Sequence, residues 1–267
     1  MTNDLDYSNA QFIPDADSFV ERWEHDAAEY REIEQAVGRA WLNKSYGPDP
    51  RHAFDLFLPS GRPQGVLIFV HGGYWLKFDN KSWSHFAAGA QQAGWAVAMP
   101  SYRLVPSVRI AEITLDVRDA IVAISRDVPG PICLAGHSAG GHLVARMMNA
   151  DVALPDNVAA RIAHVTSISP VSDLTPLIDT AMNVDFGLDV QLAGAESPAK
   201  MPKARPVNAA VWVGAEERPA FLDQARWLAE AWGVPLHVAP GRHHFDILDL
   251  LCDPTAGLLG TCLGGQP

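Results

Sequence analysis

The segment Gly136-His137-Ser138-Ala139-Gly140 constrains the fold of this chain more than any other stretch, because of what flanks it. Before it stands an apolar run, Ile132-Cys133-Leu134-Ala135, with the length of a buried strand. After it Leu143, Val144, Met147 and Met148 recur at helical spacing. A serine between two glycines, where a strand turns sharply into a helix, is the pattern of a nucleophile elbow: the backbone there is strained and its close neighbours must lack bulk. Five residues of this kind also suit a glycine-rich turn that merely opens a helix. The strand before and the helix after favour the elbow.

The rest of the chain keeps the same rhythm of short apolar runs and helical patterns. Strands are expected at 53–58, 65–70, 95–99, 132–135, 162–169, 209–213 and 235–239, and helices at 81–93, 111–124, 139–148, 219–232 and 245–251. Such alternation predicts an α/β fold with crossover helices. Residues 1–45 mix aromatics (Phe19, Trp23, Tyr30) with many charges and read as an N-terminal helical extension, either covering the mouth of a site or packed on the core. The stretch 170–207 interrupts the rhythm with Pro170, Pro176, Pro198, Pro202 and Pro206 and reads as a small cap. The glycine-rich end, 257–266, is expected to be frayed.

A chain of 267 residues with 48% hydrophobic content can bury a substantial core, and one domain is expected. Twenty Lys and Arg against 31 Asp and Glu, a net charge of -11, argue against nucleic acid or an anionic membrane as the main partner. Cys133, Cys252 and Cys262 sit in apolar surroundings without a C-x-x-C pair, which predicts free thiols in a reducing compartment. The start, Met1-Thr2-Asn3-Asp4-Leu5-Asp6, lacks the basic and apolar regions of a signal peptide, and no apolar stretch has the length of a membrane span. A cytoplasmic location is therefore expected, with a small-molecule substrate as the partner. Whether two copies pair as a homodimer is not marked by any residue pattern.

A nucleophilic serine needs donors for the developing oxyanion, a base and an acid. His71-Gly72-Gly73-Tyr74-Trp75 follows the strand ending at Val70, and its two glycines let backbone N–H groups turn inward. The oxyanion hole is assigned to Gly72, Gly73 and the N–H of Ala139, the residue after the serine. Tyr74 and Trp75 are candidates for substrate contact, although aromatics beside loops more often pack the core. In this kind of sheet the order is serine, acid, histidine. His243 and His244, in a loop before the helix at 245–251, are the candidate bases, His244 preferred and His243 second; His237 reads as a strand residue. The loop after the strand at 209–213 offers Glu217 as the acid, with Glu216 more solvent-facing and Asp173, one strand earlier, as the rival. All three also suit the start of a helix. No zinc motif, Walker loop or dinucleotide fingerprint occurs, so no metal or cofactor is expected.

With His71-Gly72-Gly73-Tyr74-Trp75, Gly136-His137-Ser138-Ala139-Gly140-Gly141-His142-Leu143, Ser169-Pro170-Val171-Ser172-Asp173-Leu174 and His244-Phe245-Asp246 in this order, the chain resembles the α/β-hydrolases. Within them it looks like the kynurenine formamidase (arylformamidase) branch and the hormone-sensitive-lipase-like esterases, over about His52 to Leu251. The resemblance implies a mostly parallel central sheet with helices on both faces and a small cap. It also implies Ser138 as nucleophile, His244 as base and Glu217 as acid, where relatives usually carry aspartate. The activity implied is hydrolysis of N-formylkynurenine to kynurenine and formate. Ser101-Tyr102-Arg103-Leu104 looks like a segment of the esterase branch, which keeps a carboxylesterase or thioesterase as the alternative. A hydrolase-fold binding protein without catalysis is the alternative of another class, disfavoured by the retained serine, histidine and acid.

Overall fold

The structure is a computed structural model of the protein and describes residues 3–265. Met1 and Thr2, in the start inspected for a leader, and Gln266, in the end expected to be frayed, lie outside the described residues. Eight strands form one sheet: β1 Ala40–Ser45, β2 Ala53–Phe57, β3 Val66–Val70, β4 Ala96–Pro100, β5 Ile132–His137, β6 Ile162–Ile168, β7 Asn208–Gly214 and β8 Leu236–Ala239. Their order is β1-β2-β4-β3-β5-β6-β7-β8. β1 pairs antiparallel with β2, and β2 antiparallel with β4; the remaining pairs are parallel. β3, β4 and β5 are buried along their whole length, which is why they read as unbroken apolar runs.

The helices are α1 Ala16–Ala36, α2 Ala88–Gln92, α3 Ile110–Asp127, α4 Ala139–Arg146, α5 Asp156–Ala159, α6 Asn183–Phe186, α7 Val190–Ala195, α8 Pro219–Trp232 and α9 Gly257–Cys262. The pleat divides the core in two. Val66, Ile68 and Val70 of β3 and Ile132 and Leu134 of β5 meet Ile113, Val117, Ile121 and Ile124 of α3 and Leu143 and Val144 of α4 on one face. On the other face Leu67, Phe69, Cys133 and Ala135 meet Trp23 of α1, Trp83 and Phe86 of the 3-10 turn Asn80–Ala87, and Leu258, Leu259 and Cys262 of α9. Each such isoleucine or leucine stabilises the fold by roughly 1.5–3 kcal/mol through burial.

Four expectations are corrected. The N-terminal extension is not helical throughout, since 40–45 forms the edge strand β1. A register shift between Trp41 and Lys44 breaks its alternation; there Asn43 has φ 53° and donates its N–H to Asp55. The glycine-rich end is not frayed as far as it is described: Leu258, Leu259 and Cys262 share one helical face and bury against the sheet. The region expected as one helix at 81–93 divides into the 3-10 turn Asn80–Ala87 and α2, and that at 245–251 is a 3-10 turn, Asp246–Leu251.

The 170–207 stretch lies between β6 and β7 and carries the 3-10 turns Thr175–Asp179 and Pro198–Lys200 with α6 and α7 between them. The N-terminal segment ties to it, with Asn3 donating to the Pro176 carbonyl at 2.8 Å. Among the described residues no helix is long and apolar enough to cross a membrane.

Candidate active site

Ser138 sits between β5 and α4 with φ 56° and ψ -117°, a left-handed conformation costing a β-carbon-bearing residue about 1–3 kcal/mol. Its N–H donates to the Ile168 carbonyl of β6 at 2.9 Å, which pins the strained turn to the neighbouring strand. The turn also needs helix α4 to press on β3. A methyl group on Gly140 would lie 1.9 Å from the Val70 carbonyl oxygen, so only a residue without a β-carbon lets the two elements meet.

The His71–Trp75 loop comes alongside this turn. Gly72 abuts it, since a methyl group there would fall 3.1 Å from Ser138 Cβ. Gly73, at φ +105°, adopts a conformation that a side chain would strain. Among the described residues the N–H groups of Gly72 and Gly73 donate to no protein acceptor. Ala139 opens α4, where the geometry leaves its N–H without a carbonyl four residues back in the helix. Tyr102 stacks on His71 at 4.3 Å and donates to the His71 carbonyl at 2.9 Å, fixing the loop from beneath. Burial holds His71 down at about 4, so its imidazole is neutral.

His244 Nδ1 lies 2.7 Å from Glu217 Oε2, with both side chains buried. A carboxylate only accepts, so Nδ1 carries the proton and Nε2 keeps the lone pair. Glu217 Oε1 accepts from the Gly214 N–H at 2.8 Å and from Ser169 Oγ at 2.5 Å. Three donors thus hold one carboxylate in place. The His244 ring lies between Phe221, at 4.4 Å, and His137, at 4.5 Å. His137 Nε2 donates to the His244 carbonyl at 2.8 Å, tying the histidine loop to the elbow. Burial, with the His244 imidazole beside it, holds His137 well below the usual histidine range, so it stays neutral.

The rival candidates are engaged elsewhere. Asp173 pairs with Lys200 at 3.0 Å and accepts the Thr175 N–H at 2.8 Å. Glu216 is exposed. His243 Nδ1 accepts the Phe245 N–H at 3.1 Å at the head of the 3-10 turn. His237 stacks on Trp212 in the sheet.

Ser138, His137, His244 and Gly73 open onto one cavity of about 210 Å³. Its walls are largely aromatic, with Tyr7, Trp23, Tyr74, Phe78, Trp83 and Phe245. Tyr74 is on the wall, its hydroxyl donating to the Tyr7 carbonyl at 2.6 Å. Trp75, expected to touch substrate, does not line the cavity. Its ring is fully buried against His142 and Phe186. The 170–207 stretch contributes Met182, whereas the N-terminal segment contributes Tyr7, Ser8, Asn9 and Ala10, with Val20 and Trp23 from α1. Cover over the cavity therefore comes mainly from the first residues. Trp23 was visible in the sequence as an aromatic in a charged helix. Phe221 and Asn9 carried no local signal.

A strained serine at the strand–helix turn of a mostly parallel sheet opens onto the same cavity as the histidine of a buried His–Glu pair. A model of the α/β hydrolase fold matches residues 67–235, and the chain belongs to that family and is an enzyme of the hydrolase class. It is 26% identical to a kynurenine formamidase of Danio rerio, over 94% of this chain and 90% of that protein. With a kynurenine formamidase of Salmo salar the identity is 24%, over 82% and 79%. The crystal structure of a candidate thioesterase from Silicibacter sp. TM1040 superposes with a TM-score of 0.96 at 51% identity, covering 98% of this chain and 99% of that one. Esterase B of Lactobacillus rhamnosis shares the fold at 17% identity and a TM-score of 0.68, covering 94% of each chain.

Proposed function

We propose that this enzyme hydrolyses small aryl formamides through a covalent acyl-enzyme, with Ser138 as nucleophile, His244 as base and Glu217 as the acid that orients it. The observation that carries the reading is the cavity at Ser138: half-open, small beside the roughly 300–1,000 Å³ of most ligand pockets, and walled by aromatic rings. A flat aryl group stacks on such walls, and a formyl group is the smallest acyl that a serine can receive. The similarity to kynurenine formamidases along most of the chain supports the same reading.

In the proposed reaction the Ser138 hydroxyl passes its proton to His244 Nε2 as Oγ bonds to the formyl carbon. The developing oxyanion is met by N–H groups of Gly73 and Ala139, with Gly72 alongside. The imidazolium then protonates the leaving arylamine nitrogen as the C–N bond breaks. Water, activated by the same imidazole, releases formate from Ser138. Glu217 keeps Nδ1 protonated and stabilises the imidazolium throughout. Glu217→Gln is expected to lower kcat by about 10³–10⁴-fold, whereas Asp173→Asn leaves kcat within about threefold. Steady-state kinetics of both variants, with folding checked by circular dichroism, decides which carboxylate serves.

A thioesterase or carboxylesterase is the second reading, favoured by the likeness to the candidate thioesterase. Formate release from N-formylkynurenine, compared with turnover of short nitrophenyl esters and acyl thioesters, separates the two. The formamidase reading expects the formamide to have the highest kcat/KM; turnover of esters or thioesters alone would overturn it. The three unpaired cysteines support a cytoplasmic, reducing location for this activity.

A further inference from the structure

Among the polar groups on the cavity wall that have no role in the proposed triad or oxyanion hole are Asn9 and Lys77. Lys77 is the one lysine or arginine among the residues lining the cavity, and no aspartate or glutamate lines it. Its ammonium lies 5.1 Å from the Phe78 ring centroid, and among the described residues no carboxylate pairs with it. Asn9 is 6% exposed, and its Nδ2 is buried without a hydrogen-bond partner. Buried amides are nearly always satisfied, and leaving one unpaired costs about 1–3 kcal/mol. In a chain of net charge -11, an exposed cation without a carboxylate partner and a buried, unsatisfied carboxamide on the wall of one cavity that no acidic side chain lines favour an anion there.

We infer that Asn9 and Lys77 form an anchor for a carboxylate borne by the leaving aryl group, which makes the enzyme selective for acidic aromatic substrates. The inference rests on the hydrolase reading above, in which Ser138 reacts at one part of the cavity wall. The aryl ring lies among Tyr74, Phe78 and Trp83. Its carboxylate is met by the Lys77 ammonium, and the Asn9 carboxamide, by rotating about its terminal bond, offers an N–H. Lys77 belongs to the loop that carries Gly73, its N–H donating to the Gly73 carbonyl at 3.2 Å, so the lysine and the Gly73 donor share one turn. Asn9 lies in the short 3-10 turn Asn9–Phe12, next to the Tyr7 held by Tyr74.

The test compares two substrate pairs, each differing by a carboxylate: formanilide with 3-(2-formamidophenyl)propanoate, and phenyl acetate with 3-(2-acetoxyphenyl)propanoate. The wild-type enzyme is expected to favour the acidic member of whichever pair it hydrolyses by about tenfold in kcat/KM. In Lys77→Gln that preference falls by about fivefold, the scale of one partly exposed ion pair, through KM, while the neutral member is turned over as before. Asn9→Leu lowers the same preference, and Lys77→Arg retains most of it. Raising salt from 50 to 500 mM erodes the wild-type preference and leaves that of Lys77→Gln unchanged. Preference for the acidic ester with no formamide turnover would remove the formamidase reading and leave the anchor standing. Equal kcat/KM within each pair, or an unchanged preference in Lys77→Gln, would overturn the anchor whichever pair is hydrolysed.

Discussion

Ser138→Ala is expected to lower kcat by about 10⁵–10⁶-fold, with KM little changed and the fold intact. The size follows from the way the triad works as a unit: without Oγ there is no acyl-enzyme, and only binding and the oxyanion donors remain. Stability is expected to hold or rise slightly, because the hydroxyl makes no hydrogen bond that shapes the turn. The backbone is fixed instead by the Ser138 N–H on Ile168 and by the His142 N–H on the Ser138 carbonyl. Steady-state kinetics together with a thermal melt checks both halves. His244→Ala should match the kinetic loss, since the proton then has nowhere to go. Near-normal turnover by either variant would contradict the assignment.

Gly140→Ala is expected to be the most damaging single-methyl change in the chain. The added carbon would lie 1.9 Å from the Val70 carbonyl and 2.6 Å from that of His71, both backbone atoms of the sheet and the oxyanion loop. Neither can rotate away, so α4 must retreat from β3 and take the Ser138 turn with it. A loss of about 3 kcal/mol or more in unfolding free energy is expected, beyond an ordinary overpacked core substitution, together with loss of activity. Gly194→Ala in α7 serves as the control. Nothing lies within 4 Å of its added methyl, and alanine is the better helix former. Urea denaturation of the two variants should show a large fall for the first and none for the second.

Much of this arrangement was legible in the chain. β3 and β5 stood out because burial on both faces demands uninterrupted apolar residues, and the Ser138 turn because glycine is required where α4 crosses β3. The order of serine, acid and histidine followed from the sheet. What was not legible depended on side-chain direction or on distant pairing. Glu217 and Asp173 both follow strands, and only the fold shows one at His244 and the other at Lys200. Trp75 stood with Tyr74 as a candidate substrate contact in the loop after β3, yet its ring packs in the core against His142 and Phe186. β1 hid behind its bulge at Trp41–Lys44. The cavity wall joins Tyr7 to Met182 and Phe245, residues that no local pattern connects. Where the resemblance implies an aspartate, this chain carries Glu217. Its extra methylene is accommodated by the Gly214 N–H and Ser169 Oγ, which hold one carboxylate oxygen so that the other meets His244.

The central claim is that Ser138 is an activated nucleophile, and covalent labelling tests it directly. Folded protein treated with a small fluorophosphonate at neutral pH should gain one phosphonyl group, mapped by mass spectrometry to the peptide containing Ser138. Ser138→Ala should gain none, and Glu217→Gln should label far more slowly. A folded protein that stays unlabelled, or that labels equally well as Ser138→Ala, would contradict the account.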